Sequence, residues 1–345
     1  MSILKYPYQS HFVETPGLKI HYLKEGSGPP LILLHGWPQT AYMWRHQIEY
    51  LKKSFTVYAP DNRGFGLTEK PKIRITRDLL ARDVVAFMDA LGLQKAHLAG
   101  HDWGGMIAFK LAIDFPSRCE SLALIDTSTT VWPRWAGHAY WAKQSDLPLQ
   151  FFEQCGEEFI RWCLHGERAV FSGVDSPFPR QPLPADYAWC DEEALQHFMS
   201  AISQPGTGYA SVDYYRSGLP FHRIQKNNDD VFEFEYIGEQ GAIDIWKHEQ
   251  GFWAHPDAQQ DMCFAPEDWH KQFSGPSLFL FTPLLVPQAF DNNSYRKDFV
   301  LGNNLWERAF TGALPDLKYS GIASGHFLPE EKPSSVNTAL FEFFT

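Results

Sequence analysis

The chain has 345 residues, of which 44% are hydrophobic and 15% aromatic, and a formal net charge of -11. That length holds two ordinary domains or one large α/β domain with an insertion, and the apolar share suffices for a sizeable core. The acidic balance, without any Lys- or Arg-rich block, argues against nucleic acid and anionic membrane surfaces as partners. Residues 1–9 read as neither signal peptide nor anchor. No segment approaches the roughly 20 apolar residues needed to cross a bilayer. Five scattered cysteines without a CxxC pair favour reduced thiols in a cytoplasmic protein over disulfides or a zinc site.

Short apolar runs fall at 31–34, 55–59, 97–100, 121–125 and 277–281, each a candidate strand. Between several of them lie helical patterns, such as 78–91, where Leu80, Val84, Phe87, Met88 and Leu91 recur at steps of three and four. Fully apolar strands alternating with helices predict a parallel sheet covered on both faces. Ligands of such sheets bind beyond the carboxyl ends of the strands. From about residue 131 the alternation stops, and it resumes at Ser277. The expected organisation is therefore a core from 1–130 and 276–345, with a mainly helical cap inserted at 131–275. Residues 224–273 are polar and irregular, and their role is not legible.

Four tetrapeptide-scale motifs follow the strands. Gly100-His101-Asp102-Trp103-Gly104-Gly105 has the spacing of a nucleophile elbow, in which small residues two before and two after the reacting side chain permit a very tight strand-to-helix turn. Asp102 there is either the nucleophile or merely an N-cap for the next helix. His35-Gly36-Trp37-Pro38 follows the run 31–34, Asp61-Asn62-Arg63-Gly64-Phe65-Gly66 follows 55–59, and Ser324-Gly325-His326-Phe327 follows a short apolar stretch at 317–322.

In this order and spacing the four motifs resemble the epoxide hydrolase and dehalogenase branch of the α/β hydrolases, closely over 15–130 and 276–330 and weakly over the cap. The resemblance implies an α/β-hydrolase fold, no cofactor and no metal. It also implies a two-step reaction: Asp102 attacks an sp³ carbon to give an alkyl ester, and water activated by His326 hydrolyses that ester. The backbone N–H groups of Trp37 and Trp103 would form the oxyanion hole.

His326 needs an acid to fix its tautomer. The stretch after the run at 277–281 holds no carboxylate before Asp291, whereas Asp126 ends the run at 121–125, where many dehalogenases and some bacterial epoxide hydrolases place the acid. Asp126 is preferred. Val212-Asp213-Tyr214-Tyr215-Arg216 resembles the cap motif that supplies one ring-opening tyrosine, Tyr215. The second donor falls on the first cap helix, at His138, or at Tyr140 if the register differs by two. A haloacid substrate would need arginines where Trp103 and Met106 stand. A haloalkane remains open, with the indoles of Trp103 and Trp37 as halide donors. A fold that only binds a ligand would have lost a triad member, and none is missing. The expected partners are a small apolar or aromatic epoxide, or a halogenated compound, and water; a homodimer stays open.

Overall fold

The computed structural model describes residues 4–134, 136–164, 189–229, 231–282, 290–291, 294–295 and 305–345. The chain opens with an antiparallel pair, β1 (Ser10–Thr15) and β2 (Leu18–Glu25). It continues through β3 (Pro30–Leu34), α1 (Arg45–Leu51), β4 (Thr56–Pro60), α2 (Arg77–Ala90), β5 (Ala96–His101), α3 (Trp103–Asp114) and β6 (Cys119–Ile125). A second series runs β7 (Val131–Trp132), α4 (His138–Ala142), α5 (Leu147–Leu164), α6 (Glu192–Ile202), α7 (Thr207–Gly218), β8 (His222–Lys226), β9 (Phe232–Tyr236), α8 (Gly238–Trp246) and β10 (Met262–Cys263). The last is β11 (Ser277–Phe281), β12 (Phe290–Asp291), β13 (Ser294–Tyr295), α9 (Leu305–Ala313), β14 (Leu317–Gly321), α10 (Leu328–Glu331) and α11 (Pro333–Phe344).

The main sheet has the order β1-β2-β4-β3-β5-β6-β11-β14. It is parallel from β4 to β14, and only the β1–β2 and β2–β4 pairs run antiparallel. The middle strands are buried along almost their whole length, as in β3 and β11. Helices therefore cover both faces, which is why these strands read as unbroken apolar runs. β1 instead alternates exposed and half-buried residues. It lies at the sheet's edge, and its polar alternation is why it escaped the sequence reading.

Between β6 and β11 the chain leaves this sheet. Helices α4 to α8 are accompanied by a four-stranded antiparallel sheet of order β7-β10-β8-β9, so this part is less purely helical than expected. The stretch from 224 resolves into the end of the β8–β9 hairpin, α8, three single turns of 3₁₀ helix and β10. Phe232 and Phe234 of β9 pack edge-on against Trp269, and β10 closes back on β7 with Met262 opposite Trp132.

Candidate active site

Five strands that are neighbours in the sheet, β3, β5, β6, β11 and β14, each deliver a group at or just beyond its carboxyl end. These are Trp37, Asp102, Asp126, Thr282 and His326. Sequence positions almost 300 residues apart are thereby brought to one rim, the place where parallel sheets bind ligands.

Asp102 occupies the N-cap position of α3, but its side chain makes no cap hydrogen bond and its backbone has φ 50° and ψ -122°. Helix capping is therefore not its role. Asp102 and Asp126 are the two non-glycine residues with positive φ among the described residues. Such a conformation costs roughly 1–3 kcal/mol and persists where surrounding structure enforces it. The glycines explain the enforcement: a Cβ on Gly104 would overlap the Leu34 carbonyl, and one on Gly100 would overlap that of Gly104. The turn is held by Asp102 N–H donating to the Ile125 carbonyl at 3.1 Å and by the Thr127 hydroxyl donating to the Asp102 carbonyl at 2.6 Å.

The carboxylate points away from the helix and into the site. Its Oδ1 accepts from the Trp37 backbone N–H at 2.8 Å, and its Oδ2 lies 3.5 Å from His326 Nε2. Burial pushes the Asp102 pKa up, but hydrogen bonding and charge from His326, with the Trp103 backbone N–H, outweigh burial and hold it below the ordinary carboxylate value. Asp102 is thus ionised at neutral pH, as a carboxylate nucleophile must be.

His326 Nδ1 meets Asp126 Oδ2 at 2.7 Å. Asp126 is thus the carboxylate at His326 Nδ1; the stretch 283–287 and the side chain of Asp291 lie outside what the structure describes. The other Asp126 oxygen accepts from both the backbone N–H (3.0 Å) and the hydroxyl (2.9 Å) of Thr282. Burial raises the Asp126 pKa despite these donors. For His326 burial favours the neutral ring, but the two facing carboxylates win and lift its pKa to about 10.

Sequence reasoning missed three supports. His101 Nε2 donates to the His326 carbonyl at 2.7 Å, and burial lowers its pKa to about 3, so it is a neutral donor. Glu331 fastens the histidine loop by accepting from Ser324 Oγ (3.0 Å), Gly325 N–H (2.7 Å) and Phe327 N–H (3.1 Å). Thr282 stands at the end of β11, where a polar residue closing an apolar strand was the available signal. The oxyanion loop has its own scaffold: Asn62 N–H donates to His35 Nε2 at 2.9 Å and the Asn62 amide to the His35 carbonyl at 2.8 Å. The Asp61–Gly66 motif thereby fixes the neighbouring His35–Pro38 turn.

Above the carboxylate lies a cavity of about 90 Å³, walled by Trp37, Met106, Trp132, His138, Tyr215 and Phe327. His138 and Tyr215 sit together, with ring centroids 5.2 Å apart and nearly perpendicular planes. Burial lowers the His138 pKa to about 4 and raises that of Tyr215 well above 10. Both rings are neutral and protonated as donors near pH 7. Tyr140 packs instead against Phe221 and Phe252 and does not line the space. The two tryptophans differ: Trp37 lines it, whereas the Trp103 indole is sealed under Tyr214 and Tyr215. The Trp37 indole N–H has no hydrogen-bond partner among the described residues, whereas the Trp103 indole interacts with the Tyr215 hydroxyl.

These features define a class, the α/β-hydrolase fold with an aspartate at the elbow in place of serine. Residues 29–154 match the α/β-hydrolase fold family. A soluble epoxide hydrolase of Corynebacterium sp. (strain C12) is 46% identical over 116 residues, a match that covers 34% of this chain but only 41% of that enzyme. Epoxide hydrolase 3 of Siraitia grosvenorii is 39% identical over 235 residues, 59% of this chain and 71% of the relative. Haloalkane dehalogenase 2 of Mycobacterium tuberculosis is 36% identical over 149 residues, 42% of this chain and 51% of the relative. The solved structure of epoxide hydrolase CorEH without ligand superposes with a TM-score of 0.68 at 23% identity, covering 97% of this chain and 98% of that one. The chain belongs to the α/β-hydrolase family, in its epoxide hydrolase and haloalkane dehalogenase branch.

Proposed function

We propose that the protein is an epoxide hydrolase in which Asp102 is the nucleophile, His326 the base and Asp126 its orienting acid. Residues 131–275 act as a cap that supplies the leaving-group donors. The observation that carries this reading is the pairing of Tyr215 with His138 across the same cavity as Asp102. An epoxide oxygen leaves as an alkoxide and needs a proton, and two adjacent neutral donors meet that need.

In the first step an Asp102 oxygen bonds to an epoxide carbon, the C–O bond breaks, and the alkoxide takes a proton from the Tyr215–His138 pair. Forming the ester removes the Asp102 charge. That charge is one of the two that lift His326 to about 10, so its loss lowers the His326 pKa; the imidazolium proton passes to the donor pair, replacing the one given to the alkoxide, and leaves a neutral ring that can act as base. In the second step His326 Nε2 takes a proton from water as the water attacks the ester carbonyl. The oxyanion forms where the Trp37 N–H already meets an Asp102 oxygen at 2.8 Å, with the Trp103 N–H as second donor. Collapse breaks the ester C–O bond, the remaining proton of the attacking water passes to the departing alkoxide to complete the diol, and the Asp102 carboxylate returns beside a protonated His326.

A dehalogenase by the same two steps is the second reading, supported by the unpartnered Trp37 indole N–H in the cavity wall. A halide would need such donors and no proton. Incubation with styrene oxide, cyclohexene oxide and 1,2-epoxyhexane, and separately with a 1-bromoalkane, decides. Diol supports the proposal; halide release with no diol from any epoxide overturns it. The aromatic wall supports an apolar or aromatic substrate. No described helix is long and apolar enough to cross a membrane, and five unpaired cysteines support placing the enzyme in the reducing cytoplasm. Sedimentation tests the homodimer that the sequence leaves open.

A further inference from the structure

Helix α4, which carries His138, has only five residues and no side-chain N-cap. A helix that short does not hold its own shape in water, so its position must be imposed from outside. Lys143 follows it directly and is 2% exposed. Its Nζ donates to the carbonyls of Tyr215 (2.7 Å), Leu219 (2.6 Å) and Arg216 (3.2 Å) and lies 4.9 Å from the centre of the Phe221 ring. The last carbonyls of a helix have no partner within it, and Lys143 serves those at the end of α7. The reverse contact also exists: Arg216 Nη2, on α7, donates to the carbonyls of Gln144 (2.6 Å) and Ser145 (2.7 Å), just beyond α4.

The end of α7 is thus closed by Lys143, and the chain just past α4 is held by Arg216 of α7. The two helices joined this way are the ones that carry His138 and Tyr215. We propose that Lys143 is a positioning residue for epoxide opening: together with Arg216 it forms a reciprocal latch that holds the two leaving-group donors at their working separation. The proposal rests on the ring-opening reading of His138 and Tyr215. A purely packing role would be met more cheaply by an apolar side chain, since burial disfavours the ammonium and pulls its pKa down to about 7. The three carbonyls accept from its Nζ, contacts that no apolar side chain could make.

The test uses single-turnover rapid quench with mass spectrometry on the full enzyme and the three epoxides named above, following ester formation and ester hydrolysis separately. Lys143→Met is expected to slow ester formation by about tenfold or more while leaving ester hydrolysis within about twofold. In a Tyr215→Phe background the same change should cost much less, because one of the latched donors is already gone. Unchanged ester formation, equal slowing of both steps, or full additivity with Tyr215→Phe overturns the proposal. If Lys143→Met does not fold, Arg216→Met, at the half-buried reciprocal end, carries the same expectations. Absence of any ester in the wild-type enzyme removes the ring-opening reading itself, and the latch proposal with it.

Discussion

Asp126→Asn is the substitution whose outcome the geometry specifies most closely. One Asp126 oxygen accepts two hydrogen bonds from Thr282, at 3.0 and 2.9 Å, and the other faces His326 Nδ1 at 2.7 Å. An asparagine must turn its own oxygen toward the two Thr282 donors, since turning its amide there would oppose donor to donor. Its NH₂ then faces His326 and can only donate. His326 Nδ1 becomes an acceptor, the ring proton moves to Nε2, and the nitrogen that must take a proton from water is blocked. The corresponding change in a Ser-His-Asp triad costs on the order of 10⁴ in turnover by this tautomer effect, and a loss of about 10³ to 10⁴ is expected here. It should fall on the second step, so one equivalent of ester accumulates in the first turnover and persists. Rapid quench with mass spectrometry measures both quantities. Turnover within about threefold of wild type would refute the tautomer argument and the assignment of Asp126.

Other expectations follow from the same contacts. Thr282→Val removes one of the two bonds to Asp126, and at about 1.5–3 kcal/mol for a hydrogen bond to a charged group should slow ester hydrolysis by roughly ten- to a hundredfold; no change in that step contradicts it. Tyr215→Phe or His138→Phe removes one donor to the developing alkoxide and should slow ester formation by a similar factor while sparing hydrolysis, read in the same quench experiment. Ester formation should also be flat in pH from just above 4, where His138 has become neutral and Asp102, held below its usual value, is ionised. The plateau should last until Lys143, whose pKa burial pulls down to about 7, loses the charge that holds the latch; Tyr215, pushed well above 10, sets no limit in that range. A rise with a midpoint near 6.5 in the single-turnover profile, in place of that fall, would show instead that an ordinary histidine which must be neutral controls the first step. Gly104→Ala places a methyl group against the Leu34 carbonyl and should lower the thermal midpoint sharply or prevent folding, whereas Gly92→Ala, with nothing near its Cβ, should cost only the strain of its positive φ.

The parts of this site that were legible in the sequence are those set by local backbone constraint. A turn as tight as the one at Asp102 admits only glycine at 100 and 104, so the elbow leaves a signature within six residues. The same holds for Gly36, where a Cβ would lie 2.6 Å from that of Asp102. Asp126 was legible because it ends an apolar strand. The residues that escaped act through distant partners: His101 on the His326 carbonyl, Thr282 on Asp126, Lys143 on the end of α7, and Arg216 on the chain just past α4. None changes the local pattern around itself. The small sheet escaped for a related reason, since β7 and β10 have two residues each and pair across 130 positions, leaving too short a run for any periodicity to register.

The central claim is that a carboxylate, Asp102, becomes covalently esterified by an epoxide. Intact and peptide mass spectrometry of His326→Gln after exposure to the epoxide panel tests it most directly, because the second step is then disabled. The expected result is one adduct carrying the full mass of the epoxide, located on the peptide that contains Asp102. An adduct elsewhere in the chain, or none from any epoxide alongside an alkyl adduct formed with loss of halide from the bromoalkane, would contradict it.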